Sequence, residues 1–105
     1  FWAVNVYTRQ LINSRKEMFR FDRYEASSIH SLDVPYFSDD ICPEVVFHCL
    51  NRLKDKPVLI TENGIACKND KYRVIYIAAV LQAVKQAMDS GVNVLGYLPW
   101  SLLDN

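Results

Sequence analysis

Val58-Leu59-Ile60-Thr61-Glu62-Asn63-Gly64 is the stretch on which the fold turns. A run of apolar and β-branched residues, opened by Pro57, closes on a carboxylate and then on a glycine. Short apolar runs bounded by Pro and Gly read as buried strands. A carboxylate at the far end of a buried strand costs stability unless partners hold its charge, so Glu62 is a candidate for chemistry. The plain alternative is a strand-ending Glu that faces water.

Outward from this strand (57–62) the periodicity changes type. Trp2, Val4 and Val6 alternate with Ala3, Asn5 and Tyr7, a period of two that predicts a strand over 2–7. Pro43 opens a helix to about residue 55, with Val46, Cys49, Leu50 and Leu53 on one face. Asn69 or Asp70 caps a longer helix that buries Val74, Ile77, Ala78, Leu81, Val84 and Met88 and stops at Gly91. A last strand covers about 93–99. Strand, helix, strand, helix, strand predicts an α/β arrangement with parallel pairing through right-handed crossovers. Residues 8–42 show no sustained period and gather the mixed-charge run from Arg15 to Arg23, which reads as a solvated excursion.

Strict alternation puts Val58, Ile60 and Glu62 on one face of their strand. It groups Ala3, Asn5 and Tyr7 likewise, and Val94, Gly96, Leu98 and Trp100. Parallel strands then bring Tyr7, Glu62 and Trp100 together at one C-terminal rim, where barrel enzymes carry their active sites.

Composition narrows the function classes. Twelve Lys plus Arg balance twelve Asp plus Glu, which gives no preference for a polyanion, so no nucleic-acid partner is expected. No apolar stretch approaches the roughly 20 residues that span a bilayer. Cys42, Cys49 and Cys67 are odd in number and lack metal-ligand spacing. Reduced thiols and a cytoplasmic protein are expected. His30 and His48 offer no ligand spacing either, and no glycine-rich phosphate loop is present, so neither a metal nor a cofactor is expected.

Two motifs and several shorter ones, in order, carry a resemblance. Ile60-Thr61-Glu62-Asn63-Gly64 and Gly96-Tyr97-Leu98-Pro99-Trp100-Ser101-Leu102-Leu103-Asp104-Asn105 resemble the strand ends of family 1 glycoside hydrolases, the retaining β-glucosidase and β-galactosidase family. Asn5-Val6-Tyr7-Thr8-Arg9 is similar to the family's N-Y-Y-T-R, and Ile41-Cys42-Pro43-Glu44 to its I-x-P-E. Asp70, Arg73 and Tyr76 fall at the spacing of its D-x-x-R-x-x-Y.

The resemblance implies a (β/α)8 barrel. A barrel takes roughly 200 residues or more, so 105 residues are expected to form its C-terminal part: three parallel strands with crossover helices and the long excursion at 8–42. It further implies that Glu62 is the catalytic nucleophile, that Tyr7 supports it, and that Trp100 and Asn5 bind the sugar. A non-proline cis peptide is expected after Trp100. Asn63 and Gly64 read as the turn that ends the strand, and Arg73 and Tyr76 as anchors of the following helix.

The departures bear on function. Val6 replaces the first Tyr of N-Y-Y, Val80 stands where many members have His, and Asp39-Asp40 replace a W-E pair. The family's acid/base Glu belongs to an N-E-P motif, which does not occur in this sequence. The expected partners are therefore a β-glycoside or oligosaccharide and the remainder of the barrel. Alone, the chain is expected to be inactive and to self-associate through its unpaired sheet edges. The competing readings are a non-catalytic carbohydrate-binding or scaffold fragment, and a degenerate relative without activity.

Overall fold

Five elements form, in the order that the periodicity predicts. The computed structural model describes residues 1–8, 41–67, 69–101 and 103. The elements are β1 (Trp2–Asn5), α1 (Val45–Arg52), β2 (Val58–Asn63), α2 (Asp70–Asp89) and β3 (Val94–Pro99). The strands make one parallel sheet with β2 in the middle. Parallel neighbours need a crossover, and α1 and α2 supply it. The excursion at 9–40, with Arg9, His30, Asp39 and Asp40, lies outside the described residues, as do Asp104 and Asn105.

Local chemistry explains the helix limits. Pro43 and Glu44 form a turn ahead of α1, which then buries Val46 and Leu50, four residues apart on one face. Cys49 and Leu53 are half-buried beside them. At the start of α2, the Asn69 side chain accepts the Lys71 backbone N–H at 3.0 Å, satisfying a donor the first helical turn leaves orphaned. At its end Gly91 takes φ +98° and donates its N–H to the Met88 carbonyl, a left-handed conformation that glycine adopts without a Cβ penalty.

The inward face of α2 differs from expectation. Tyr76, Val80, Ala83, Val84 and Ala87 are buried, whereas Val74, Ala78, Leu81 and Met88 are exposed. Of the expected set, only Val84 is fully buried and Ile77 half-buried. α2 lies close against α1, and the small Ala83 and Ala87 are among the residues its packing buries, while the bulkier Leu81 and Met88 turn outward. The core joins that stripe to Val46 and Leu50 of α1 and to Val6, Val58 and Ile60 of the sheet. Each fully buried Val or Leu there contributes about 1.5–3 kcal/mol.

The register of β1 against β2 corrects the alternation argument. Val4 pairs with Ile60, but the next pair is Asn5 with Glu62, so Thr61 is an extra residue on β2. Ile60 and Asn63 point into the helix layer, both 0% exposed. Between them Thr61 and Glu62 meet Asn5 and Tyr7, side chains that alternate with the core residues Val4 and Val6. Glu62 therefore does not share a face with Val58 and Ile60. A bulge places two successive side chains on the same side, which is how strands re-aim a residue beside a functional site.

Just past β2, a Cβ added to Gly64 would stand 1.9 Å from the Trp100 carbonyl oxygen. That is backbone on backbone, so a methyl group there forces the end of β3 away from β2. Gly64→Ala is expected to lower the free energy of unfolding by about 1–3 kcal/mol, the usual cost of overpacking. Urea denaturation measures it, and an unchanged midpoint with an unchanged slope would refute the close approach.

Candidate active site

The C-terminal edge of the sheet brings a phenol onto a carboxylate. The Val6 N–H donates to the Glu62 carbonyl at 3.0 Å and carries the β1–β2 ladder one step past the bulge. Tyr7 follows directly, and its hydroxyl donates to Glu62 Oε2 at 2.9 Å. Burial pushes the Tyr7 phenol far above its ordinary range, and the hydrogen bond to Glu62 and the charge of that residue push it further. The phenol thus stays protonated and remains a donor throughout neutral pH. It orients one carboxylate oxygen without cancelling the charge.

Asn5 and Trp100 stand at the same end of the sheet. Thr61 Oγ1 lies 2.7 Å from Asn5 Oδ1 and 3.0 Å from the Val4 carbonyl, so the bulge residue itself fixes the Asn5 amide. The Trp100 backbone N–H donates to the Asn63 carbonyl at 2.8 Å, and its side chain is about half exposed. The Trp100–Ser101 peptide is cis, as the resemblance implies. The Ser101 hydroxyl donates to the Leu103 carbonyl. What ties Trp100 to the Tyr7–Glu62 pair is backbone: residues 62 and 63 offer their carbonyls to β1 on one side and to Trp100 on the other.

Beneath the pair lies a polar cluster that the sequence reading missed. Asn63 is a strand residue with 0% exposure, not part of a turn. Its Nδ2 donates to the Val6 carbonyl at 2.6 Å and to the Tyr76 hydroxyl at 3.0 Å. Its Oδ1 accepts the Tyr97 hydroxyl at 2.9 Å. Tyr76 in turn directs its hydroxyl at the Tyr7 carbonyl, 3.5 Å away. Burial pushes Tyr97 up to about 12, with Tyr76 adding to the shift. It raises Tyr76 as well, partly offset by the bond to Asn63. No local signal marked it, because the partners of Asn63 lie 13 and 34 residues away along the chain.

Arg73 pairs with Asp70 on the first turn of α2 and reaches the Cys67 carbonyl at 3.4 Å, anchoring the helix start as expected. No disulfide joins Cys42, Cys49 and Cys67. Among the described residues, no cluster of His, Cys, Asp and Glu side chains could hold a metal ion. None of the described helices is long and apolar enough to cross a membrane.

Comparison with known proteins agrees with the motifs. The sequence matches Glycosyl hydrolase family 1 over residues 1–105. It is 32% identical to a β-galactosidase of Sulfolobus acidocaldarius, across 98% of this chain and 23% of that protein. It is 35% identical to a bifunctional β-D-glucosidase/β-D-fucosidase of Bifidobacterium breve, across 63% of this chain and 18% of the other. In three dimensions it superposes on part of the barrel of a hyperthermophilic β-glucosidase from Pyrococcus furiosus with a TM-score of 0.80 and 31% identity. That match covers 98% of this chain and 24% of the Pyrococcus chain. The chain therefore belongs to glycosyl hydrolase family 1, and it spans about a quarter of the length of such relatives.

Proposed function

We propose that this chain carries the nucleophile of a retaining β-glycosidase, with Glu62 as that nucleophile. The observation that carries the reading is the 2.9 Å bond from the Tyr7 hydroxyl to Glu62 Oε2 at the open end of a parallel sheet. It holds one oxygen and leaves Oε1 to attack. Attack on the anomeric carbon forms a glycosyl ester as the aglycone oxygen leaves with a proton from the acid. Water, deprotonated by the same residue acting as base, then releases the sugar.

The acid/base stands about 5–5.5 Å from the nucleophile in retaining enzymes, and it belongs to another part of the barrel. Trp100 offers a flat apolar face to the C–H face of a pyranose, and Asn5 a hydrogen-bonding amide. The substrate class is a β-glycoside or oligosaccharide. Reduced thiols fit a cytoplasmic location. The Leu95 and Leu98 side chains, exposed here, belong to the surface that the rest of the barrel would cover.

Three outcomes test the proposal. With the complete barrel, a 2-fluoro β-glycoside bearing an activated leaving group forms an ester that is slow to hydrolyse. Peptide mass mapping should find that ester on Glu62, and an adduct on another carboxylate would refute the assignment. Tyr7→Phe should lower kcat roughly 10–100-fold with little change in KM, since it removes one hydrogen bond to a charged group. Wild-type kcat in that variant would remove Tyr7 from the mechanism. The 105-residue chain by itself should sediment as dimers or larger species, because among the described residues β1 and β3 are the edge strands of an open sheet. A compact monomer with glycosidase activity would overturn the division of the site between this chain and the rest of the barrel.

A further inference from the structure

The Tyr7–Glu62 bond depends on where the end of β1 stands, and past the bulge the ladder holds Val6 by its N–H on the Glu62 carbonyl. Residues 6 and 7 lie past β1, and the pairing with β2 has just been shifted by the bulge. Yet both of their carbonyls are held from below by side chains. Asn63 Nδ2 donates to the Val6 carbonyl at 2.6 Å, and the Tyr76 hydroxyl points at the Tyr7 carbonyl from 3.5 Å.

The proton inventory of this cluster closes in one way. An amide has two N–H donors and a carbonyl acceptor. The Val6 carbonyl can only accept, so the side facing it must be Nδ2. The second Nδ2 proton goes to the Tyr76 oxygen, which frees the Tyr76 hydroxyl proton for the Tyr7 carbonyl. Oδ1 is left to accept from Tyr97. With the group fully buried, swapping N and O would oppose two acceptors at Val6, at a cost comparable to an unmade buried hydrogen bond. The amide therefore has one orientation, and it sits between β1, β3 and α2.

We propose that Asn63 is a positioning residue for the Tyr7–Glu62 pair: its amide, locked by the Tyr76 and Tyr97 hydroxyls, pins the Val6 carbonyl and so sets where the Tyr7 phenol meets the carboxylate. It touches neither substrate nor the reacting oxygen. Its own carbonyl also receives the Trp100 N–H, so the same residue fixes the backbone on both sides of Glu62. The role in turnover rests on the glycosidase reading above, whereas the geometric role does not.

The test separates the two. The complete enzyme is labelled with 13C at the tyrosine Cζ, and the Tyr7 signal is assigned as the one lost in Tyr7→Phe. Asn63→Ala should move the ionisation of Tyr7 to lower pH, because a phenol that drifts from Glu62 keeps its burial but loses the bond and the charge that add to the effect of burial. Tyr97→Phe leaves the Asn63 bond to Val6 and removes only the clamp on Oδ1. It should give a smaller shift in the same direction, and it serves where Asn63→Ala fails to fold. Turnover supplies the second readout. Asn63→Ala should lower kcat about 10-fold with KM within about two-fold, and should cost nothing further in a Tyr7→Phe background.

A Tyr7 signal unmoved in both variants overturns the proposal. So does an equal kcat loss with Tyr7 present and absent, since that is what a general loss of structure would give. A shifted Tyr7 signal in an enzyme that hydrolyses no β-glycoside would support the positioning and sink the glycosidase reading instead.

Discussion

Val4 pairs with Ile60 and Asn5 with Glu62, and the residue left over, Thr61, governs the whole C-terminal edge of the sheet. Were Thr61 paired in regular alternation instead of bulged, the Glu62 carboxylate would turn with Ile60 toward the layer of Val46, Leu50 and Val80, each 0% exposed. An ion in such surroundings would neutralise or destabilise the fold. With the bulge, the carboxylate comes round to the side of Asn5 and Tyr7, and Asn63 takes the buried position instead. A neutral amide with three hydrogen-bond partners is a far cheaper occupant of that layer than an unpaired charge. The extra residue is itself put to use, since the Thr61 hydroxyl, with its one proton, stands within hydrogen-bond reach of both the Val4 carbonyl and the Asn5 side chain.

Under the proposed function, a phenol beside Glu62 is what a carboxylate nucleophile would need. A cation in contact would hold the carboxylate strongly, but it would also oppose the loss of charge when the ester forms. A phenol that keeps its proton offers direction with less of that opposition. Burial is the main reason that Tyr7 keeps it, and Glu62 reinforces the effect by disfavouring a second negative charge nearby. The two groups thus define each other: the carboxylate holds the phenol protonated, and the phenol holds the carboxylate in place.

Several features were legible in the sequence because they rest on local chemistry. The alternation in 2–7, the apolar run before Glu62, the Asn69 cap and the Gly91 stop each need only a few neighbouring residues, and all appear in the structure, the first as the shorter strand Trp2–Asn5. The gathering of Tyr7, Glu62 and Trp100 at one end needed only parallel strands. The bulge was not legible, because Thr61 is an ordinary strand residue and an inserted position leaves no mark in composition. The buried face of α2 was not either: apolar residues occur on every side of that helix, and only tertiary packing selects Ala83 and Ala87 over Leu81 and Met88. Asn63 looked like a turn because its partners Tyr76 and Tyr97 lie 13 and 34 residues away along the chain.

That distant partnership compensates for a weakness in the sheet. The β2–β3 pairing is irregular between Ile60 and Asn63, and the β1–β2 pairing shifts at Asn5, so the ladder is interrupted on both sides of Glu62. Apolar packing cannot restore the lost register, since it is non-directional and tolerates slippage. Directional bonds can. Asn63 reaches β1 through the Val6 carbonyl, α2 through Tyr76 and β3 through Tyr97, which ties four elements at the level where the ladder lapses. An apolar residue of the same size would fill the space but would leave the buried Val6 carbonyl without its side-chain donor, at about 1–3 kcal/mol, and would take a partner from each of the Tyr76 and Tyr97 hydroxyls. A polar hub beneath the carboxylate is thus the counterpart of the bulge above it: the bulge frees Glu62 to face the open end, and the hub keeps that freedom from becoming disorder.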